Sequence, residues 1–252
     1  MSIALLSNPA LSAVAFVFGL CVGSFLNVVI YRLPVMMERD WRCQCLELFA
    51  DDGASSPEGD KAAPETAPAE RFDLAVPRSR CPHCGHRITA LDNVPVLSYM
   101  LLKGRCRGCK QRISVRYPII ELVTGALAAV VVWQYGATLA AVAALALTFA
   151  LVALTMIDAD TQLLPDSITL PFLWLGLCFN LYGGFVPLQD AVIGAIAGYM
   201  TLWTVYQTFR LVTGKEGMGF GDFKLLAMLG AWLGWSQLPV IILLSSVVGA
   251  AV

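Results

Sequence analysis

Residues 138–158 read TLAAVAALALTFALVALTMID, a run that stays apolar through residue 157 and stops on a carboxylate, Asp158. About 20 apolar residues is the length of one membrane crossing. In lipid the backbone must satisfy its own hydrogen bonds, so only helices and closed barrels cross. The run lacks the two-residue alternation of barrel strands and is read as a transmembrane helix. Its last residue matters because an ionisable group at the edge of a span is a functional candidate by default. A second one is Asp222, in Gly217-Met218-Gly219-Phe220-Gly221-Asp222-Phe223-Lys224, where three alternating glycines precede an aspartate and a further apolar run, 225–235.

The rest of the chain repeats the pattern. Of 252 residues, 58% are hydrophobic and 14% charged, against about 25% charged in soluble domains. Besides 138–157, apolar segments fall at about 11–30, 117–135, 168–184, 188–210, 222–235 and 238–252. Turn residues separate them, as at Leu164-Pro165-Asp166, Tyr182-Gly183-Gly184, Thr213-Gly214-Lys215 and Gln237-Leu238-Pro239. The predicted fold is therefore an all-α polytopic membrane protein with about seven visible transmembrane helices. The chain stops at Val252 inside an apolar run, and one further helix is expected beyond it.

Charge is confined to one insert. Residues 32–116 hold 14 Lys/Arg and 11 Asp/Glu, leaving three basic and seven acidic residues elsewhere. Basic loops stay cytoplasmic, which puts the N-terminus outside and residues 32–116 inside. Threading the spans from there puts the loops 158–167 and 211–221, and with them both aspartates, on the cytoplasmic side. No Lys or Arg precedes Arg32, so the first segment is read as a retained span, not a signal peptide. The expected division is 1–31 as a first transmembrane helix, 32–116 as a cytoplasmic insert and 117–252 as a membrane-embedded domain. Residues 50–70, rich in Ala, Pro, Glu and Asp, read as a flexible linker. No internal repeat of fixed period is apparent. Membrane lipid is an expected partner and nucleic acid is not.

Within the insert, Cys81-Pro82-His83-Cys84 and Cys106-Arg107-Gly108-Cys109 form two C-x2-C pairs separated by 21 residues. That spacing suits a four-cysteine zinc site. Zinc takes four tetrahedral ligands and accepts thiolates, and a cytoplasmic location argues against disulfides. Cys81, Cys84, Cys106 and Cys109 are the expected ligands of a structural zinc, because four thiolates leave no open position for a substrate. Gly85 and Gly108 suit tight turns. His83 and His86 are nearby substitutes, and a redox dithiol pair is the competing reading. Cys43 and Cys45 read as free thiols, and Cys21 and Cys178 as packing residues.

Asp158 ends one helix and Asp222 opens another. If the two share a proton, one can act as general base on a water while the other donates to a substrate carbonyl, as peptide hydrolysis by an aspartic dyad requires. Gly217, Gly219 and Gly221 would let an extended peptide approach Asp222. The bland alternatives are real: an Asp at a helix start is often an N-cap, and an Asp at the membrane interface often only solvates a loop. Asp160 and Asp166 compete with Asp158, with Asp166 suited to an N-cap role. Lys224 is either a counter-charge to the pair or a snorkelling side chain. Gly23 and Ser24 favour close helix contact, and Asn27 is placed to hydrogen-bond across helices. Glu121 lies one turn into its span and needs a partner; Arg116 is the nearest candidate in sequence.

Taken together, these motifs resemble the type 4 prepilin leader peptidases, bifunctional inner-membrane enzymes of type IV pilus and type II secretion systems. Four blocks carry the resemblance: the stretch from Gly23 through Asn27 to Pro34; the two C-x2-C pairs with Ile113 to Pro118 and Glu121; Ile157-Asp158-Ala159-Asp160 with Leu163-Leu164-Pro165-Asp166; and Gly217 to Lys224. The resemblance implies a bacterial inner-membrane aspartic endopeptidase whose catalytic aspartates map onto Asp158 and Asp222. It implies cleavage of the leader of prepilins and pseudopilins on the cytoplasmic side, then N-methylation of the new N-terminus with S-adenosylmethionine. Methyl transfer is associated with the zinc-bearing insert, and Gly104, Arg116 and Glu121 fall in that region. The rival classes are a non-enzymatic membrane scaffold with a zinc module, and a solute or ion transporter, whose sites lie near the midplane.

Overall fold

The computed structural model describes residues 9–51, 72–81, 83–89, 91–215 and 217–251. Residues 52–71, which hold most of the 50–70 stretch read as a linker, lie outside that set, as do the first eight residues. Among the described residues the chain is helical, with two isolated β-bridges and no extended strand. The helices are α1 (Pro9–Asp51), α2 (Leu97–Leu101), α3 (Arg116–Tyr135), α4 (Leu139–Thr161), α5 (Asp166–Leu181), α6 (Leu188–Thr213), α7 (Phe220–Leu233) and α8 (Leu238–Ala251). Each of the seven apolar segments becomes one helix. Three of them, α1, α3 and α4, are long and apolar enough to cross a membrane singly. The helices α7 and α8 meet at a 120° bend and together make a fourth candidate, a broken span or a re-entrant loop. At 16 residues α5 is short for a crossing, and α6 carries Thr201, Thr204, Gln207, Thr208 and Arg210 among its apolar residues.

Contacts divide the chain into a unit of residues 13–129 and a unit of residues 1–12 with 130–252. In the first, α1 runs 43 residues and passes through Pro34, well beyond the expected end of the first span. Its continuation is rich in helix formers such as Leu, Met, Glu and Arg and carries an i,i+4 pair, Arg42 to Glu38 at 2.6 Å. Glycines bring α1 and α3 together. A Cβ on Gly19 would lie 2.7 Å from Ala128 Cβ, and one on Gly23 would lie 2.8 Å from Glu121 Cα. Asn27 bridges the two helices as expected, its Nδ2 donating to Tyr117 O at 3.3 Å.

In the second unit, α7 packs against α6 and α5. Thr138 caps α4, its hydroxyl accepting from Ala141 N at 3.2 Å. The core is Ala143, Leu147 and Leu154 of α4 with Met228 and Trp232 of α7. Polar groups inside it are satisfied, as buried groups must be. Trp232 Nε1 donates to Phe172 O at 2.8 Å. Buried Asn180 donates to Ala231 O and Trp232 O at 2.8 and 3.2 Å and accepts from the Phe185 and Val186 amides at the same two distances.

The tightest packing is between α6 and α7. Gly194 and Gly230 face each other backbone to backbone, and a Cβ on Gly198 would lie 2.6 Å from Leu226 O. The Gly-x3-Gly spacing on α6 is the small-residue pattern that lets membrane helices touch. Sequence reading passed over it because neither glycine interrupts the apolar run. Gly198→Leu should therefore lower the thermal midpoint of the detergent-solubilised protein by several degrees, equivalent to about 1–3 kcal/mol of overpacking. Gly249→Leu, where a Cβ meets nothing within 4 Å, should leave the midpoint in place in the same melting experiment.

Candidate functional site

Two separate polar sites emerge, one in each unit. In the second unit, Asp158 lies in the last turn of α4 and is exposed. The helix is stopped by Gln162 in the left-handed conformation (φ 53°), whose N–H bonds to Asp158 O at 2.8 Å. Buried Pro165 then precedes α5. On the other side, Gly219 precedes α7, and Asp222 sits half-buried in its first turn. Phe223 behind it is fully buried. Its ring packs edge-on against Tyr199, Tyr206 and Phe220, which seats this turn on α6.

The two segments meet at Gly221, where a Cβ would lie 2.8 Å from Leu164 Cβ. That contact lays the loop after α4 against the start of α7. Asp158 lies six positions before Leu164 and Asp222 directly follows Gly221. Lys224 Nζ donates to Asp166 Oδ2 at 2.5 Å. Asp166 is the first residue of α5 and makes no capping bond, so the N-cap role expected for it is replaced by an ion pair. Lys224, expected as a counter-charge to the Asp158–Asp222 pair or as a snorkelling side chain, is paired with Asp166 instead. The three glycines also differ from one another. A side chain at Gly217 would strike Phe209 and one at Gly221 would strike Leu164, whereas Gly219 faces open space. Only Gly219 leaves room for a ligand to approach; the other two accommodate the chain's own packing.

In the first unit the four thiols converge. Cys81, Cys84, Cys106 and Cys109 have all their Sγ atoms within 4.8 Å of one another. The Cys81–Cys109 and Cys84–Cys106 separations are each 3.9 Å. A tetrahedron of thiolates with bonds of about 2.3 Å has edges of about 3.8 Å, so this donor set fits a metal ion of zinc's kind. Backbone N–H groups of His83 and Cys84 lower the Cys81 thiol to about 7. The His86 amide pulls Cys84 the same way, but burial and the neighbouring thiols overcome it and hold Cys84 up at about 11. Amides of Cys109 and Gly108 lower Cys106. Amide donors aimed at sulfur favour the thiolates that a metal requires.

The cluster is built from two copies of one hairpin. Cys81 N–H bonds to His86 O and Cys106 N–H to Gln111 O; Arg80 bridges Arg87, and Arg105 bridges Arg112. The sequences agree at an offset of 25 residues, Arg80-Cys81 to Arg87-Ile88 matching Arg105-Cys106 to Arg112-Ile113. A short internal repeat is therefore present, and a search at that offset finds it. The left-handed positions are Gly85 (φ 69°) and Lys110 (φ 60°). Gly108 serves a different need from the expected turn: a Cβ there would crowd Cys84 Sγ at 3.3 Å and His86 Cβ at 3.2 Å. Arg107 Nε lies 3.1 Å from Asp92 Oδ1, an ionic contact off the angle of a hydrogen bond. The Thr89 hydroxyl, bonded to Asp92 at 2.7 Å, holds that carboxyl below its usual range.

Of the residues associated with methyl transfer, Glu121 is buried. It accepts the Val96 N–H at 2.8 Å and the Ser24 hydroxyl. Val96 has φ 57°, unusual for a β-branched residue, and this acceptor helps hold it there. Gly104 (φ 66°) bonds to Tyr99 O and Ile113 N, and a Cβ on it would strike the Tyr99 hydroxyl. Arg116 begins α3. Ser24 and Val96 were not singled out beside Glu121 by sequence, because nothing local marks a contact across 25 to 97 positions; Tyr99 is only five positions from Gly104 but belongs to no motif. Titrating the purified protein with cobalt(II) should give intense thiolate charge-transfer and tetrahedral ligand-field absorption, and Cys106→Ser should abolish the tetrahedral bands.

Comparisons with known proteins bear on both units. Residues 17–135 match the family model for the bacterial peptidase A24 N-terminal domain, and residues 145–252 match that of the type IV leader peptidase family. The chain is 58% identical over 238 residues to the prepilin leader peptidase/N-methyltransferase of Aeromonas salmonicida (strain A449), covering 94% of this chain and 78% of that one. The Pseudomonas putida protein of the same name gives the same identity and coverage. The Neisseria gonorrhoeae protein is 54% identical over 242 residues, covering 96% and 81%. No solved structure matches. With both halves matched and relatives this similar aligned along nearly its whole length, the chain belongs to the type IV leader peptidase family.

Proposed function

We propose that this chain is a membrane aspartic endopeptidase that removes the leader of prepilins and pseudopilins and then N-methylates the new N-terminus. Family membership and the names of its relatives support both activities. The observation that supports the peptidase reading is the packing of Leu164 on Gly221, which lays the loop that follows Asp158 against the turn that carries Asp222. Asp158 and Asp222 share one proton. The ionised carboxylate takes a proton from a water as its oxygen adds to the scissile carbonyl carbon, and the protonated one donates to the carbonyl oxygen. Collapse of the tetrahedral adduct breaks the C–N bond, and a carboxyl proton passes to the departing amine. Open space at Gly219 admits the substrate backbone. Asp158, Asp160, Asp166 and Asp222 give the site an acidic character that suits a basic leader.

S-adenosylmethionine, when bound, would supply a methyl group from its sulfonium to the free amine, which would give up one proton. Gly104, Arg116 and Glu121, all in the first unit, are the residues assigned to this step. Zinc is the metal assigned to Cys81, Cys84, Cys106 and Cys109, with a structural role. The topology that goes with this reading has about seven membrane helices in the bacterial inner membrane, α7 and α8 being counted singly, with the N-terminus outside and the peptidase site facing the cytoplasm. Its division is the one set out from the sequence: 1–31, 32–116 and 117–252.

Incubating the purified protein with a prepilin tests the dyad. Asp158→Asn and Asp222→Asn should each lower cleavage by about 10²–10⁴-fold or more, while leaving zinc content unchanged. Full cleavage by either variant would exclude the dyad. Elemental analysis should find about one zinc per chain, lost in Cys81→Ser with Cys84→Ser.

A further inference from the structure

We propose that Asp166 is a positioning residue that holds the Lys224 ammonium away from the Asp158–Asp222 pair, so that the pair keeps a proton to share near neutral pH. This rests on the aspartic-dyad reading above. The charged groups on the elements that meet here are Asp158 and Asp160 on α4, Asp166 on α5, Arg210 on α6 with Asp190 at its opposite end, Lys215 in the following loop, and Asp222 and Lys224 on α7. Lys224 follows Asp222 by two positions in the same helical turn. Residues two apart on a helix point in nearly opposite directions, but a lysine has a flexible four-carbon stem and a mobile point charge. Left unengaged, that charge could swing toward the carboxylates.

The chemistry makes such an approach harmful. Two carboxylates sharing a site retain a proton because both cannot comfortably be ionised together. An ammonium beside them favours the doubly ionised state and drives the proton off. The dyad then lacks the acid that must protonate the carbonyl oxygen. The structure engages the ammonium elsewhere, at 2.5 Å from Asp166 Oδ2. Asp166 is suited to hold it, being at the N-terminus of α5, where the helix dipole favours an anion, after a buried proline that fixes the backbone. The Lys224 and Asp166 side chains are 28% and 52% exposed. A pair so exposed adds little to stability, so its removal should be read in proton affinity, not in folding.

The test is the pH dependence of prepilin cleavage by the full chain in detergent. Asp166→Asn should move the alkaline limb of the profile to lower pH by about half to one unit, since the freed ammonium expels the shared proton earlier. Asp166→Asn with Lys224→Met should return the limb to its wild-type position. Lys224→Met alone should leave the limb in place or raise it. An equal loss of activity at every pH, an unmoved limb in Asp166→Asn, or a double variant whose limb stays low would overturn the proposal. Lys224→Met gives a second, independent arm should Asp166→Asn not fold, because a limb moved to lower pH by that variant also overturns it. The dyad reading fails separately, on full cleavage by Asp158→Asn or Asp222→Asn, whatever the Asp166 variants do.

Discussion

The contact of α6 with α7, backbone against backbone, fixes the second unit. Gly194, Gly198 and Gly230 leave no room for a side chain between the two helices. Because α7 has only 14 residues, it cannot be held by length and must be held at both ends. Its first turn is seated by Phe223 among the rings of α6, and its last by Trp232 and Asn180 against α5. A short helix pinned in this way has a defined rotation and depth. Gly230 and Trp232 lie eight and ten positions beyond Asp222 on the same helix, so the setting of that carboxylate depends on packing along the whole of α7.

The helices were legible in the sequence because apolar runs in lipid leave the backbone little choice. Every segment expected to be a helix is one, and the boundaries differ by only a few residues except in α1. There the charged insert from Arg32 onward was read as the end of the span, yet the helix continues through Pro34 to Asp51. Local composition cannot tell whether a helix stops where a membrane does. The bend between α7 and α8 was expected near Gln237-Leu238-Pro239, but the turn centres on Gly234 with φ 78°. The thiol cluster was legible because C-x2-C spacing is set by a tight turn and scarcely depends on the fold. The pairing of Lys224 with Asp166, 58 positions apart, was not, because it exists only once Leu164 lies on Gly221.

The first unit uses polar burial in a different way. Glu121 joins three parts of the chain, taking Ser24 from α1 and the amide of Val96 while itself on α3. Arg32 is similarly central. It is buried, and its guanidinium donates to Asp73 O at 2.7 Å and to Pro77 O, with the Phe72 ring beside it. Long-range polar bonds of this kind give the segment before the first cysteine pair a fixed attachment to α1. A residue held at a strained dihedral is expected only where its surroundings over-determine it, and Val96 meets that condition.

The doubled hairpin has a consequence for how this part of the chain can change. A metal bound by both cysteine pairs would close the segment between them into a ring. The entropy of ring closure grows only with the logarithm of length, by about 0.6 kcal/mol for each doubling. The segment between the pairs makes contacts of its own at Asp92, Val96 and Gly104, so a change of length there costs little only where such contacts are spared. Within either pair, one extra residue would move a sulfur off its corner of the tetrahedron. Length variation should accordingly be excluded from inside the pairs.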